Sequence, residues 1–142
     1  MIILAYDHGG YEFMKGIKDY LNKKNLVFKC FANEEFDPLD SYAYFTKQAC
    51  LEMIKDEANI GIFCCRSGVG TAIMANRFKK IRAMVAIDKT MVEKSRLHNN
   101  ANVIVLPADY VSLDEAKELI DIFLSTQFEG GRHIPRIEEL DN

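Results

Sequence analysis

The sequence predicts an α/β protein, a three-layer Rossmann-like (flavodoxin-like) sheet of five parallel strands with helices on both faces. Short apolar runs alternate along the chain with stretches of helical period, the pattern of successive βα units. The first run, Met1–Tyr6 (MIILAY), is apolar without alternation, as a strand covered on both faces should be. Right-handed crossovers between parallel strands then place helices on both sides. The 142 residues read as a single domain, 1–142, and a composition 49% hydrophobic and 27% charged is that of an ordinary folded domain rather than a disordered chain.

Each element follows in order. After Gly9 and Gly10, the segment Tyr11–Lys24 sets Phe13, Met14, Ile17, Tyr20 and Leu21 on one helical face. Leu26–Phe31 alternates and reads as a second strand near an edge, because it carries Lys29. The acidic stretch Asn33–Ser41, with Pro38, is a loop, and Phe45, Ala49, Met53 and Ile54 mark a helix ending near Asp56. Ile60–Cys65 is the third strand, followed through Arg66–Gly70 by a helix over Thr71–Phe78. Arg82–Ile87 is the fourth strand, a short polar helix spans Lys89–His98, and Val103–Leu106 is the fifth strand. Ser112 and Glu115 form a capping box for the last long helix, whose buried face is Ala116, Leu119, Ile120, Phe123 and Leu124. The residues from about 128 to 142 are a tail not expected to pack in the core.

Charge and composition exclude some classes. With 18 Lys+Arg against 21 Asp+Glu, the formal net charge is −3, which argues against a nucleic-acid binder. No apolar run approaches the ~20 residues of a membrane span, and Met1–Tyr6 lacks the basic flank of a signal peptide. The cysteines are Cys30, Cys50, Cys64 and Cys65, without CxxC or Cys/His metal spacing. Free thiols in a reducing cytoplasm are the expectation.

In parallel α/β sheets the ligand sits beyond the carboxyl ends of the strands, at a topological switch point. Four segments stand out. Cys65-Arg66-Ser67-Gly68-Val69-Gly70 joins a strand to a helix, and its glycines let backbone N–H groups face an anion at the positive end of that helix. It is neither a Walker loop nor a GxGxxG turn, and a plain βα turn would also need glycines. The thiol of Cys65 stands at the loop entrance, while Cys64 points to the opposite face and, with Cys30 and Cys50, is a packing residue. Asp7-His8-Gly9-Gly10 ends the first strand and offers an acceptor and an imidazole, or simply a helix cap. His98-Asn99-Asn100-Ala101-Asn102 precedes the fifth strand and reads equally as a helix C-cap. Arg132 and Arg136 near the C-terminus suit phosphate or a solvated turn.

Taken together, Asp7-His8-Gly9-Gly10, the Cys65–Gly70 loop, His98–Asn102 and Phe128–His133 resemble the sugar-phosphate isomerases of the ribose-5-phosphate isomerase type B and galactose-6-phosphate isomerase family, type B most of all. The resemblance spans essentially the whole chain. It implies aldose–ketose isomerisation through a cis-enediolate, with no metal and no organic cofactor. It implies that Cys65 is the base, that Ser67 shuttles the hydroxyl proton, and that the amides around Gly68 and Gly70 hold the enediolate oxygen. His98 would open the sugar ring, Asp7 and Tyr42 would order its hydroxyls, Asn99 would bind the substrate chain, and His8, Arg132 and Arg136 would hold the phosphate. The partners it implies are a sugar phosphate and further copies of the chain, as a homodimer or homotetramer, with the C-terminal arginines serving either their own or a neighbouring subunit. Three departures from the family pattern bear on the choice of sugar. Arg66 stands where Gly is usual and must swing away or enter the sugar pocket as a substrate-binding residue. Ala43 stands for Pro. Leu106-Pro107-Ala108-Asp109 replaces a glycine-containing stretch that commonly carries Arg.

Overall fold

The computed structural model describes residues 1–142. In chain order the elements are β1 (Ile2–Tyr6), α1 (Tyr11–Lys23), β2 (Phe28–Phe31), α2 (Tyr42–Met53), β3 (Ile60–Cys65), α3 (Val69–Ala75), β4 (Ala83–Val85), α4 (Lys89–Asn99), β5 (Val103–Pro107), α5 (Leu113–Ser125) and α6 (Ile134–Asp141), with 3-10 turns at His8–Gly10 and Gly131–His133. All strand pairs are parallel. The strand order is β2-β1-β3-β5-β4, which is the flavodoxin order with its last two strands exchanged. The reason lies in the residues. VIVLP in β5 is apolar throughout and fully buried, so it takes an inner place. β4 is three half-buried residues and lies at the edge.

The edge strands are shorter than their apolar runs. Val27 is 74% exposed, so β2 begins at Phe28. Arg82 gives its backbone N–H to the Asn102 side chain at 2.8 Å rather than to a strand, so β4 begins at Ala83. One residue on its outer edge is paired by a side chain. Asn76 Nδ2 donates to the Ala83 carbonyl at 2.9 Å, and the Ala83 N–H donates to Asn76 Oδ1 at 2.8 Å.

The core lies on both faces of the sheet. On one, α1, α4 and α5 pack over Leu4, Ile62 and Ile104; on the other, α2 and α3 pack over Ile3, Phe63 and Val105. Met14, Ile17 and Leu21 of α1 are wholly buried, a gross gain of about 1.5–3 kcal/mol each before the entropy of ordering them is charged against it. α2 starts at Tyr42 rather than near Phe45 because Ser41 caps it, accepting from the Tyr44 N–H at 3.3 Å. α3 begins at Val69, ahead of the expected start at Thr71.

This arrangement fixes the switch point. The helix after β1 crosses one face and the helix after β3 crosses the other. Their strands are neighbours, with Tyr6 opposite Cys64, so a crevice opens between Asp7 and Cys65 at the carboxyl edge.

The C-terminal segment departs from the expected free tail. His133 and Ile137 are buried, and Arg82 Nη1 donates to both carboxylate oxygens of Asp141 at 3.0 and 2.8 Å. Alternating apolar and charged residues in so short a helix give little periodic signal, and its ion-pair partner lies 59 residues away. Cys50 and Cys64 are buried as expected, but Cys30 is exposed because β2 is an edge strand. No helix is long and apolar enough to cross a membrane.

Candidate active site

The crevice is a cleft of about 530 Å³ whose walls include Asp7, His8, Tyr42, Cys65, Arg66 and Ser67. At its floor, the Gly68 N–H donates to Cys65 Sγ at 3.2 Å. That contact requires Gly68 in the left-handed region, at φ 77°, where an added Cβ would also meet Val85 and Val105 at 3.1 and 3.3 Å. The bond aims the amide dipole of Gly68 at the sulfur. Ser67 Oγ accepts from the Val69 N–H at 3.3 Å, which ties the hydroxyl into the turn. Gly70 makes room for Tyr42. A Cβ there would lie 2.5 Å from Tyr42 Cζ, so the missing side chain lets the phenol ring lie over the loop.

The two adjacent thiols are in different surroundings. Cys64 sits in the core with its side chain against Gly10, and burial first, then the neighbouring thiol, raises its pKa far above the ordinary thiol range. Cys65 is on the cleft side of the same strand.

Asp7 Oδ1 accepts from the Gly9 N–H at 3.0 Å, the expected cap of the following turn. The residue is 5% exposed, and burial raises its pKa despite the opposing pull of His8. His8 is held by Asp40, which accepts from both the backbone N–H and ring Nδ1 at 2.8 Å. That bond, above all, raises the imidazole pKa. With Nδ1 engaged, Nε2 is the ring atom left to meet a ligand.

The remaining expected residues are elsewhere. β5 runs parallel to β3, with Val103 opposite Gly61 and Pro107 opposite Cys65. His98 and Asn99 end α4 before β5 begins, so they lie at the amino edge, about 13 Å of strand from the thiol. His98 stacks on His133, centroids 4.7 Å apart. Arg132 and Arg136 are exposed on the same C-terminal segment, where Arg136 Nη1 donates to the Arg132 carbonyl at 3.0 Å. Of the His98–Asn102 run, Asn100 is the left-handed C-cap of α4, and its carbonyl accepts from Arg82 Nε at 2.9 Å. One chain thus gathers Asp7, His8, Tyr42, Cys65, Arg66, Ser67, Gly68 and Gly70, and holds His98, Asn99, Arg132 and Arg136 apart from them.

Two partners leave no signal in the sequence. Asp40 lies in a segment that reads only as an acidic loop, and Asp109 lies beyond the fifth strand. Spacing carries no trace of such long-range pairs. Two groups bring three ligand-type atoms within 4.8 Å: Asp7, His8 and Asp40, and His98, Glu129 and His133. In the first, the His8 Nδ1 proton is committed to Asp40. In the second, the rings lie only 18° from parallel, so their in-plane lone pairs run side by side instead of converging as tetrahedral coordination needs.

The profile of the Ribose/Galactose Isomerase family matches residues 2–140. The chain belongs to that family. The isomerase from Thermotoga maritima, a ribose 5-phosphate isomerase of the B type, superposes with a TM-score of 0.93 at 36% identity, covering 99% of this chain and 96% of its own. Ribose-5-phosphate isomerase B of Mycoplasma genitalium, with bound ribulose 5-phosphate, gives 0.93 at 32% identity over 98% of this chain and 92% of its own. Ribose-5-phosphate isomerase B of Escherichia coli is 38% identical over 99 residues, which are 70% of this chain and 66% of that one. The protein is therefore a sugar-phosphate isomerase of the B type, an aldose–ketose isomerase with a five-stranded Rossmann-like fold.

Proposed function

We propose that this isomerase interconverts ribose 5-phosphate and ribulose 5-phosphate with Cys65 as its base. The observation that carries the reading is the Gly68 N–H held 3.2 Å from Cys65 Sγ at the floor of the cleft. The bound ribulose 5-phosphate of the Mycoplasma genitalium relative supports the choice of sugar.

In this reading, the Cys65 thiolate takes the proton from C2 of the open-chain aldose, and the electron pair moves through C1 onto the carbonyl oxygen O1. Ser67 passes the O2 proton to O1. The Cys65 thiol then returns its proton to C1, leaving the ketose carbonyl at C2 and the thiolate regenerated. Such a carbon acid is weak, so amide donors from the Gly68–Gly70 turn have to stabilise the enediolate, each worth about 3–4 kcal/mol. A positioned base supplies a further ~10²–10⁴ in rate. Asp7 and Tyr42 align the sugar hydroxyls, and His8 takes part of the phosphate.

The ring opener His98, the chain binder Asn99 and the phosphate binders Arg132 and Arg136 reach the cleft of a second copy in a homodimer, so residues 128–142 act on a neighbour. Val69 and Ile73 support this: they line the cleft and are each 54% exposed, apolar surface suited to burial by a partner. Four free thiols suit a reducing cytoplasm.

Two variants test both halves. Cys65→Ala is expected to lose about 10²-fold or more of turnover with an unchanged melting temperature, and near-native activity would end its assignment as base. Mixing unfolded Cys65→Ala and His98→Ala chains and refolding them together is expected to restore about a quarter of native activity, because half the dimers are mixed and each holds one intact site. No recovery would place the complete site within one chain.

A further inference from the structure

Two of the segments that depart from the family pattern touch each other. Arg66 follows β3 and Asp109 follows β5, and the backbone ladder runs on past both strands. The Ala108 N–H donates to the Cys65 carbonyl, and the Asp109 N–H donates to the Arg66 carbonyl, each at 3.0 Å. With their main chains tied, the two side chains leave one rim, and Arg66 Nε donates to Asp109 Oδ2 at 3.1 Å. The stem of Arg66 is fixed as well. It lies in the space a side chain on Gly9 would fill, since a Cβ there would be 2.3 Å from Arg66 Cγ. Arg66 therefore lies along the rim of the cleft, with its stem over Gly9 and its side chain 69% exposed. Its Nε side is occupied by Asp109, its Nη groups have no protein acceptor, and the residue lines the cleft. Across Gly9 stands His8, turned by Asp40.

We propose that Arg66 is a specificity-determining phosphate ligand of this isomerase and that Asp109 is the positioning residue that aims it, so that His8 and Arg66 grip the phosphate from the two sides of Gly9. A guanidinium that spends one edge on a carboxylate keeps a second edge for bidentate contact with a phosphate. Bracing removes the rotamer freedom that a long exposed cation would otherwise lose on binding. The pair itself is solvent-exposed and contributes little to fold stability, so its purpose is in binding. The Asp109 carboxylate also faces the phosphate region with its own negative charge, and bracing and repulsion give opposite signs on its removal.

The proposal rests on the sugar-phosphate reading of the cleft, and the experiment separates the two. The apparent KM for ribose 5-phosphate and the inhibition constant of inorganic phosphate are measured for the native enzyme, Arg66→Met, Arg66→Lys, Asp109→Asn, Asp109→Glu and Arg66→Met/Asp109→Asn. Arg66→Met keeps the stem and is expected to raise both constants about 10-fold or more, with the loss falling on KM rather than kcat. Arg66→Lys keeps the charge without the fork and recovers only part of the loss. Asp109→Asn raises both about threefold, Asp109→Glu restores them, and the double variant is no worse than Arg66→Met. A phosphate constant unmoved in Arg66→Met, tighter binding in Asp109→Asn, or additive losses in the double variant would overturn the proposal. If the native enzyme does not turn over ribose 5-phosphate, the substrate reading fails alone, and calorimetric titration of inorganic phosphate into the native enzyme and Arg66→Met still decides the role of Arg66.

Discussion

One oxygen of Asp40 accepts from both the backbone N–H and the ring Nδ1 of His8, each at 2.8 Å. The side chain that turns the imidazole also raises its pKa, because the bond favours the protonated ring. A pKa raised in the folded state means that this pair stabilises the fold fully below the unfolded value, ~6.5, and that the contribution fades as pH rises through the folded value. Asp40→Asn is expected to bring the His8 resonance midpoint down toward ~6.5 in an NMR titration. A midpoint that stays high would deny Asp40 this role.

Gly68→Ala combines a left-handed backbone with crowding against Val85 and Val105. A cost of about 1–2 kcal/mol should lower the melting temperature by about 3–8 °C, and turnover should fall more than stability accounts for, because the amide facing Cys65 moves with the strain. Differential scanning calorimetry beside a turnover assay checks this; a less stable but fully active variant would show the amide to be dispensable.

Gly70→Ala makes a different break. The atom it crowds is the far end of the Tyr42 ring, which is 41% exposed and free to swing out. Stability should hold to within about 0.5 kcal/mol, while KM for the sugar rises. An unchanged KM would remove Tyr42 from the sugar contacts.

Thr71 Oγ1 is buried without a hydrogen-bond partner. Replacing an unsatisfied hydroxyl by a methyl of the same shape removes a desolvation cost, so Thr71→Val should be neutral or more stable by up to about 1 kcal/mol in a urea titration. A loss of more than that would reveal a partner for the hydroxyl.

Removing Arg82 strands the Asp141 carboxylate and the Asn100 carbonyl, both of which it serves. Arg82→Ala should cost about 1–3 kcal/mol and release α6 first, seen as faster amide exchange in residues 134–141 than in α5. Equal exchange in the two helices would mean that Ile137 and His133 suffice to dock the segment.

Patterns that repeat within about ten residues are readable from the sequence. The uninterrupted apolar β1, β3 and β5, the buried stripe of α1 and the Ser112 cap all appear as expected, because each is set by near neighbours. The Cys65–Gly70 turn is legible for the same reason. The strand order is not, since it depends on how β4 and β5 compete for the inner place. Nor are Asp40 under His8 or Asp109 beside Arg66, which are separated from their partners by 32 and 43 residues. The separation of His98 from Cys65 is geometric: a helix that returns the chain to the amino edge carries its last residues away from the carboxyl edge, whatever their chemistry.

The amide of Asn76 has a consequence for how this protein behaves in a crowd. An open sheet ends in unpaired backbone groups that invite a foreign strand. Here the N–H and the carbonyl of Ala83 are already taken by a side chain imitating a neighbouring strand. At the opposite edge β2 carries Lys29, a polar side chain in an ion pair with Glu52 at 3.3 Å, which an added strand would have to desolvate. The protein can thus expose apolar surface at Val69 and Ile73 for a specific embrace while Ala83 and Lys29 discourage strand addition at the margins of its sheet.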